Sequence, residues 1–512
     1  MIHHFLSANR IDSPWLHVIL AGCLFLLVYC MPLQSRHNWH GDAYFWTGDT
    51  HTYVGFKGWT DPWLSHRSIG YPAVLYLFLY PHRQKFLDAF MEKAVKPRID
   101  WLAGPEEPIY DIAAEAGVAK RFEALARFQR GALAIALAIF YLSLCRWFSP
   151  GFSFVALAAA LWLAPPADPE MIMTEPLSSA FTWSCAAFML FAPRCSRQSL
   201  FFALACLCAS CAFLLRPQTL SLTGICSLIF LWQLVTGAKK GVRALLKPTL
   251  AFSPLLIAYG YIGWLSITGG QLFLHTHPNM HYSAFCRFAE AEDAQYMPTE
   301  RARKFTLWFG EHKEEFLHKL VNGEAPYPKI TLDPNDSPPW RRRRIGDNLS
   351  YGPLREVWAH FKNEKGLAGL NLRQRIIFGK ELNSGLWQRH RTEIFVNGWQ
   401  NFLGGLGYYK DIWQLSPWPP ASFAINIGAL VLSLGAIGMV PKVRWPLGIM
   451  VAIHIMALLA AAVGHHMISR YVEPTEAFFL LAGICALRAL GARAYRRWKK
   501  SPGALPVSGF YV

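Results

Sequence analysis

The residues best suited to chemistry lie in one early stretch, from His40 to Pro72. It reads H-G-D-A-Y-F-W-T-G-D-T-H-T-Y and then, a little later, R-S-I-G-Y-P. Asp49 precedes Tyr53 by one helical turn, so on a short helix both side chains project from one face. Asp42 and Tyr44 stand a few positions earlier and could line the same cleft. Arg67 leads into Gly70-Tyr71-Pro72, whose Gly and Pro mark a turn before an apolar run. A carboxylate at the mouth of a hydrophobic protein, with an arginine close behind, is the equipment of a base paired with an anion-binding cation.

Other motifs offer related chemistry, each beside a plainer reading. Met173-Thr-Glu-Pro-Leu177 places Glu175 at the end of an apolar segment, where an ionisable group is costly and therefore a functional candidate. It equally fits an acid at a helix start, favoured by the helix dipole, with Pro176 in the first turn. Leu215-Arg216-Pro217 places an arginine at another such end, to bind an anion or simply to snorkel. His465-His466-Met-Ile-Ser-Arg470-Tyr471 is denser and suits a phosphate site, because guanidinium takes phosphate oxygens bidentately. His275, His277 and His281 could ligate a metal, although spacing fixes no carboxylate partner for them. Arg341 to Arg344 form either a solvated surface or a patch for anionic headgroups or an anionic acceptor.

The elements that must position these residues are membrane spans. Of 512 residues, 53% are hydrophobic and only 16% charged, against about a quarter charged in soluble domains. Apolar runs of about 18 to 22 residues read as transmembrane helices. They fall near 14–34, 128–147, 151–166, 174–193, 199–215, 218–236, 248–267, 422–440, 444–464 and 472–490. No small-residue cleavage site follows the first, so it reads as a retained span. Gly70 to Pro81 is too short to cross unaided and reads as a juxtamembrane helix inside a long first loop, 35–127. The expected fold is an all-α polytopic membrane protein of about ten transmembrane helices. Residues 1–267 form an N-terminal transmembrane module, 268–420 a mostly helical outer segment, and 421–512 the last spans with a basic tail. Within the outer segment, helices are expected near 299–321 and 371–403.

Charge assigns the sides. The net charge of +17 does not point to nucleic acid, because the basic residues cluster beside apolar segments. Arg146, Arg194 to Arg197, Lys239-Lys240 with Arg243 and Lys247, Lys442 with Arg444, and Arg493 to Lys500 all fall on one side. The positive-inside rule makes that side cytoplasmic. Every suggestive motif then faces outward. Trp147, Trp162, Trp232, Trp264, Trp418 and Trp445 sit at span ends, as an aromatic belt should. Most of the 11 cysteines lie in apolar runs. Cys206, Cys208 and Cys211 read there as small packing residues rather than ligands.

The ordered set D-x-x-x-Y, R-x-x-G-Y-P, T-E-P-L, L-R-P and S-R-Y-x-x-P (Ser469 to Pro474) resembles the GT-C superfamily of membrane glycosyltransferases. Within it the set is most similar to bacterial lipopolysaccharide-core sugar transferases. The resemblance spans most of residues 14–490 and implies a polyprenyl-phosphate-linked sugar donor, inversion at the anomeric carbon, and an acidic base in the first outer loop. It also implies a bacterial inner-membrane protein with a periplasmic active site, acting on an envelope glycan, lipid or protein, among membrane lipids. A lipid phosphate is already a good leaving group, so one carboxylate suffices as base for the acceptor hydroxyl, unlike the two of glycoside hydrolysis. Asp49 is the first candidate and Asp42 the second, while Glu175 could orient the acceptor or help hold a divalent ion. No cofactor is otherwise demanded. Arg470, Arg67 or Arg216, with His465, His466 and Tyr471, would meet the departing phosphate, and Tyr53 and Tyr71 would line the substrate. The competing readings are a lipid or sugar transporter, for which His454 is the main mid-span candidate, and another lipid-linked transferase such as an O-antigen ligase. A transporter should also show internal repeats, and none stands out.

Overall fold

The computed structural model describes residues 14–30, 53–65, 67–90, 92–93, 107–166, 171–238, 242–276, 279–324, 330, 337–351, 370–408, 419–463 and 469–499. Among the described residues the chain is helical, with no β-strand. An apolar helix, α1 (Pro14–Cys30), precedes three short ones, α2 (Gly70–Leu79), α3 (Arg83–Phe90) and α4 (Glu107–Glu115). Five apolar helices follow: α5 (Ala119–Leu144), α6 (Pro150–Leu163), α7 (Thr174–Phe191), α8 (Gln198–Leu215) and α9 (Leu220–Ala238). After α10 (Val242–Phe252) and α11 (Leu255–Gly269) comes a more polar group. It comprises α12 (Asn279–Phe288), α13 (Glu300–Asn322), α14 (Pro338–Tyr351), α15 (Leu372–Arg389) and α16 (Arg391–Gly405). The chain closes with α17 (Pro419–Met439), α18 (Arg444–Val463) and α19 (Ser469–Lys499).

Among the described residues six helices, α5, α8, α9, α17, α18 and α19, are long and apolar enough to cross a membrane. The pair α10–α11 passes the same test as one broken span, bent by 62°. Pro254, at the N-terminal boundary of α11, accounts for the bend because it has no N–H to continue the ladder. These helices make the chain an integral membrane protein. All ten expected spans are helical, but not all have span dimensions. α1 and α6 are apolar yet only 17 and 14 residues long. α7 has the length, but its first half carries Thr174, Glu175, Ser178, Ser179 and Thr182.

α7 is the centre of the bundle. Only Phe181, Ser184 and Phe188 along it are partly exposed, as expected of a helix packed on every side. Trp183 stacks on Phe478 of α19 at 3.9 Å between ring centroids and meets Phe140 of α5 edge-on at 4.8 Å. The end of α5, the end of α7 and the start of α18 meet at one end of the bundle. Arg194 lies 4.2 Å over the Trp147 ring, and the indoles of Trp147 and Trp445 donate to the carbonyls of Leu190 and Met189.

The polar group has its own core, built around Phe285, Phe305, Phe309 and Phe378. Cys286 is buried in that core. The helix expected near 299–321 is α13. The one expected over 371–403 is two helices, α15 and α16, broken at His390. There the imidazole is clamped between carboxylates, Nε2 against both Asp293 oxygens at 3.1 Å and Nδ1 against Glu393 Oε2 at 2.6 Å. The Arg341–Arg344 run lies within α14.

Candidate functional site

Five helix ends meet at the other end of the bundle and border a small open cleft of about 30 Å³. α7 contributes Ser178 and Thr182, one turn apart on the face that begins with Glu175. Arg216, Gln218 and Thr219 come from the turn between α8 and α9, Ser221 from the start of α9, Ala457 and Ala461 from α18, and Thr475 from α19. Five hydroxyls, one amide and one guanidinium lie among Leu222, Ala457 and Ala461, and the surface they form is chiefly apolar. The hydroxyls of Ser178, Thr182 and Thr219 donate to the carbonyls of Glu175, Ser178 and Arg216, which leaves the Arg216 guanidinium and the Gln218 amide as the groups that could meet a polar ligand.

Glu175 and Arg216 form a buried ion pair, Oε1 to Nη2 at 3.4 Å, with side chains 2% and 6% exposed. Thr174 Oγ1 donates to Glu175 Oε2 at 2.9 Å. Glu175 is thus a first-turn acid with Pro176 behind it, as the plainer reading has it, and at once the partner of a buried arginine. Arg216 does not snorkel. The chain turns sharply at Arg216-Pro217, since the α8 ladder closes with Arg216 N–H to the Ala212 carbonyl and Pro217 cannot extend it.

The R-x-x-G-Y-P turn packs onto this same corner. Ser68 Oγ donates to the Leu215 carbonyl at 3.0 Å. A Cβ on Gly70 would come within 2.6 Å of the Leu214 carbonyl group, so the two backbones approach as closely as glycine alone permits. Tyr71, fully buried, donates to Gln129 Oε1 at 2.9 Å, and Gln129 Nε2 donates to the Met171 carbonyl just before α7. Burial, then Tyr53 and Glu175, push the Tyr71 phenol well above its ordinary pKa, which keeps it a donor. Tyr53 meets Tyr71 edge-on at 5.4 Å, and the Arg67 guanidinium lies 4.6 Å over the Tyr53 ring. Arg83 fixes the approach of this segment by donating to the carbonyls of Val54 and Phe56.

Of the residues singled out from sequence, Arg67, Tyr53, Tyr71, Glu175 and Arg216 are therefore brought together. Asp42, Asp49, His465 and His466 lie outside the described residues, and so do the side chains of Arg470 and Tyr471, whose backbone opens α19. Sequence reasoning missed Gln129, Ser178, Thr182, Gln218, Thr219, Ser221 and Thr475. The hydroxyl stripe on α7 was readable as Glu175, Ser178 and Thr182 at i, i+3 and i+7. His454 is fully buried on α18, its Nδ1 3.2 Å from Thr475 Oγ1 and its ring on Phe479.

Among the described residues no cluster of three or more potential metal ligands occurs. His275 and His281 stack at 5.9 Å, half-buried beside Lys380, with His277 outside the described residues. Burial and the Lys380 ammonium push His275 down to about 4, and burial, His275 and Lys380 push His281 down to about 3. Both rings are therefore neutral at pH 7. No family model matches the chain, and neither a curated protein nor a solved structure matches it either.

Proposed function

We propose that the chain is an inverting glycosyltransferase of the GT-C type, with ten helices entering or crossing the bacterial inner membrane and the cleft open to the periplasm. It would move a hexosyl or pentosyl group from a polyprenyl-phosphate donor to an envelope glycan, lipid or protein. The observation that supports this reading is the meeting of three sequence-distant motifs at one corner of the bundle, beside a cleft that Arg216 lines. These are the Arg67–Tyr71 turn, the Glu175 helix start and the Arg216 turn.

In this reading the acceptor hydroxyl attacks the anomeric carbon from the face opposite the phosphate. The carbon–oxygen bond to the phosphate breaks, the phosphate leaves with the electron pair, and the hydroxyl proton passes to a carboxylate, Asp49 first and Asp42 second. Arg216 lines the cleft and would meet the developing phosphate charge, together with Arg67 and Arg470. Glu175 holds Arg216 in register through their ion pair. That placement favours a positioning role for the acid over direct contact with the acceptor.

The test is sugar transfer by purified protein in lipid discs supplied with a lipid-linked sugar. Asp49→Asn keeps shape and polarity but cannot take a proton, so turnover should fall by a factor of roughly 100 to 10,000. Donor binding should survive. Activity in Asp49→Asn with loss in Asp42→Asn moves the base one step earlier. Activity in both removes the first loop from the chemistry. The transporter reading draws on buried His454 beside the cleft-lining Thr475. It requires sugar or lipid movement without transfer, which lipid analysis of a deletion strain would separate from a missing sugar.

A further inference from the structure

Helix α16 is built inside out. Its inward side chains include Asn397 and Asn401, at 0% and 4% exposure, whereas Phe395, Val396 and Trp399 stand out at 72%, 40% and 54%. A helix on a water-facing surface does the reverse, because an exposed apolar stripe forfeits about 25 cal/mol for each Å² left in water. The polar inward face is therefore coherent only if the outward face meets something apolar.

The position of α16 identifies what that is. Phe402 packs against the apolar core of the spans, and Leu406 belongs to it. Asn426 of α17 donates to the Leu406 carbonyl at 3.2 Å, and Tyr408 meets Phe423 edge-on at 5.1 Å. A Cβ on Gly398 would lie 3.9 Å from the Ala462 carbonyl near the end of α18. So α16 lies across the ends of α17 and α18, where their exposed apolar surfaces, including Ile425 and Leu459, run out. Exposed arginines flank it, while Glu290 and Glu292 are paired with Arg389 just before its start. Arg391 and Arg341 are exposed, and Arg342 of α14 donates to Gln400 at 2.8 Å. The acid on the helix, Glu393, is bonded to His390.

We infer that α16 is an interfacial helix lying in the leaflet on the cleft side of an anionic membrane. Phe395, Val396 and Trp399 sink to the headgroup–acyl boundary, and the neighbouring arginines engage anionic headgroups. The seating of α16 against the ends of two apolar helices that themselves expose apolar side chains, with arginines beside it, selects lipid over a protein partner. The inference rests on the membrane character of the chain and is independent of the transferase reading.

The test places a bimane label at Val396→Cys or Trp399→Cys, in full-length protein carrying Cys23→Ser and Cys30→Ser. Each is reconstituted in phosphatidylcholine–phosphatidylglycerol vesicles, with Lys304→Cys on exposed α13 as the reference. Acyl-brominated lipid should quench the labels at 396 and 399 several-fold more than the label at 304, and omitting phosphatidylglycerol should weaken that quenching. Two label sites keep the test standing if one substitution perturbs the fold. Quenching at both no greater than at 304 overturns the proposal. So does shielding from a water-soluble quencher without lipid quenching, which would place a protein on the stripe. Quenching indifferent to phosphatidylglycerol overturns its electrostatic half.

Discussion

The Glu175–Arg216 pair makes a prediction whose size can be worked out. At 3.4 Å and an effective dielectric of about 20, the attraction is about 5 kcal/mol. Desolvation of two nearly inaccessible charges offsets most of this, so the pair adds little net stability as a unit. Cutting one partner is different, because it leaves the other charge buried and uncompensated. Glu175→Gln and Arg216→Met should each cost about 3–5 kcal/mol, and the double variant should recover to within about 1 kcal/mol of the parent. The assay is reversible unfolding in mixed micelles titrated with sodium dodecyl sulfate, run as a double-mutant cycle. A coupling energy above about 2 kcal/mol is expected. A coupling below about 0.5 kcal/mol would show that the two side chains do not share a buried site. The double variant also separates structure from chemistry. If it is as stable as the parent yet transfers no sugar, the charges serve the cleft rather than the fold.

Further predictions concern the frame of the site. Gly70→Ala should destabilise by about 1–3 kcal/mol, because the new methyl meets the Leu214 backbone and not a mobile side chain. Gly131→Ala, whose Cβ would meet only Tyr29 at 3.8 Å, should be neutral or mildly stabilising in the same unfolding assay. His275 and His281 bind protons more weakly folded than unfolded, so their contribution is intact above about 6.5 and is lost as pH falls through 6.5 towards 4. The melting temperature should therefore drop between pH 7.5 and 5, and His281→Gln should flatten that drop; an unchanged slope would remove these rings from the acid response. Cysteine labelling in intact cells should place Lys240 and Arg497 on the cytoplasmic side and His51 and Arg342 outside. A cytoplasmic His51 would overturn the sidedness on which the proposed site depends.

The membrane class and the helix positions were legible because lipid imposes length and apolarity on every span, and both can be counted along a chain. What could not be counted was packing. α7 reads like its neighbours in sequence, and only the fold shows it enclosed on every side. The bend after α10 had a visible cause in Pro254, whereas the break at His390 had none. Leu-Trp-Gln-Arg-His-Arg-Thr-Glu suits a continuous helix, and the clamp depends on Asp293, 97 residues away in sequence.

The site divides along the same line. Glu175 and Arg216 each stood out because a charge at the end of an apolar segment needs a reason, but no local rule could pair residues on different helices. Gln129 is the clearest case of what was hidden. It is an ordinary residue for a helix, with no motif around it, yet it ties the Tyr71 hydroxyl to the Met171 carbonyl and so sets the α2 turn against the start of α7. Burying an amide that spends both its acceptor and a donor on two separate segments is worthwhile only if their relative position matters, since an unmet half would cost about 1–3 kcal/mol. Gln129→Leu should therefore leave the spans in place while loosening Tyr71, Tyr53 and Arg67 from the Glu175 corner. The burden of the site falls on long-range polar contacts of this kind, which hold short motifs from three segments at one corner of the bundle.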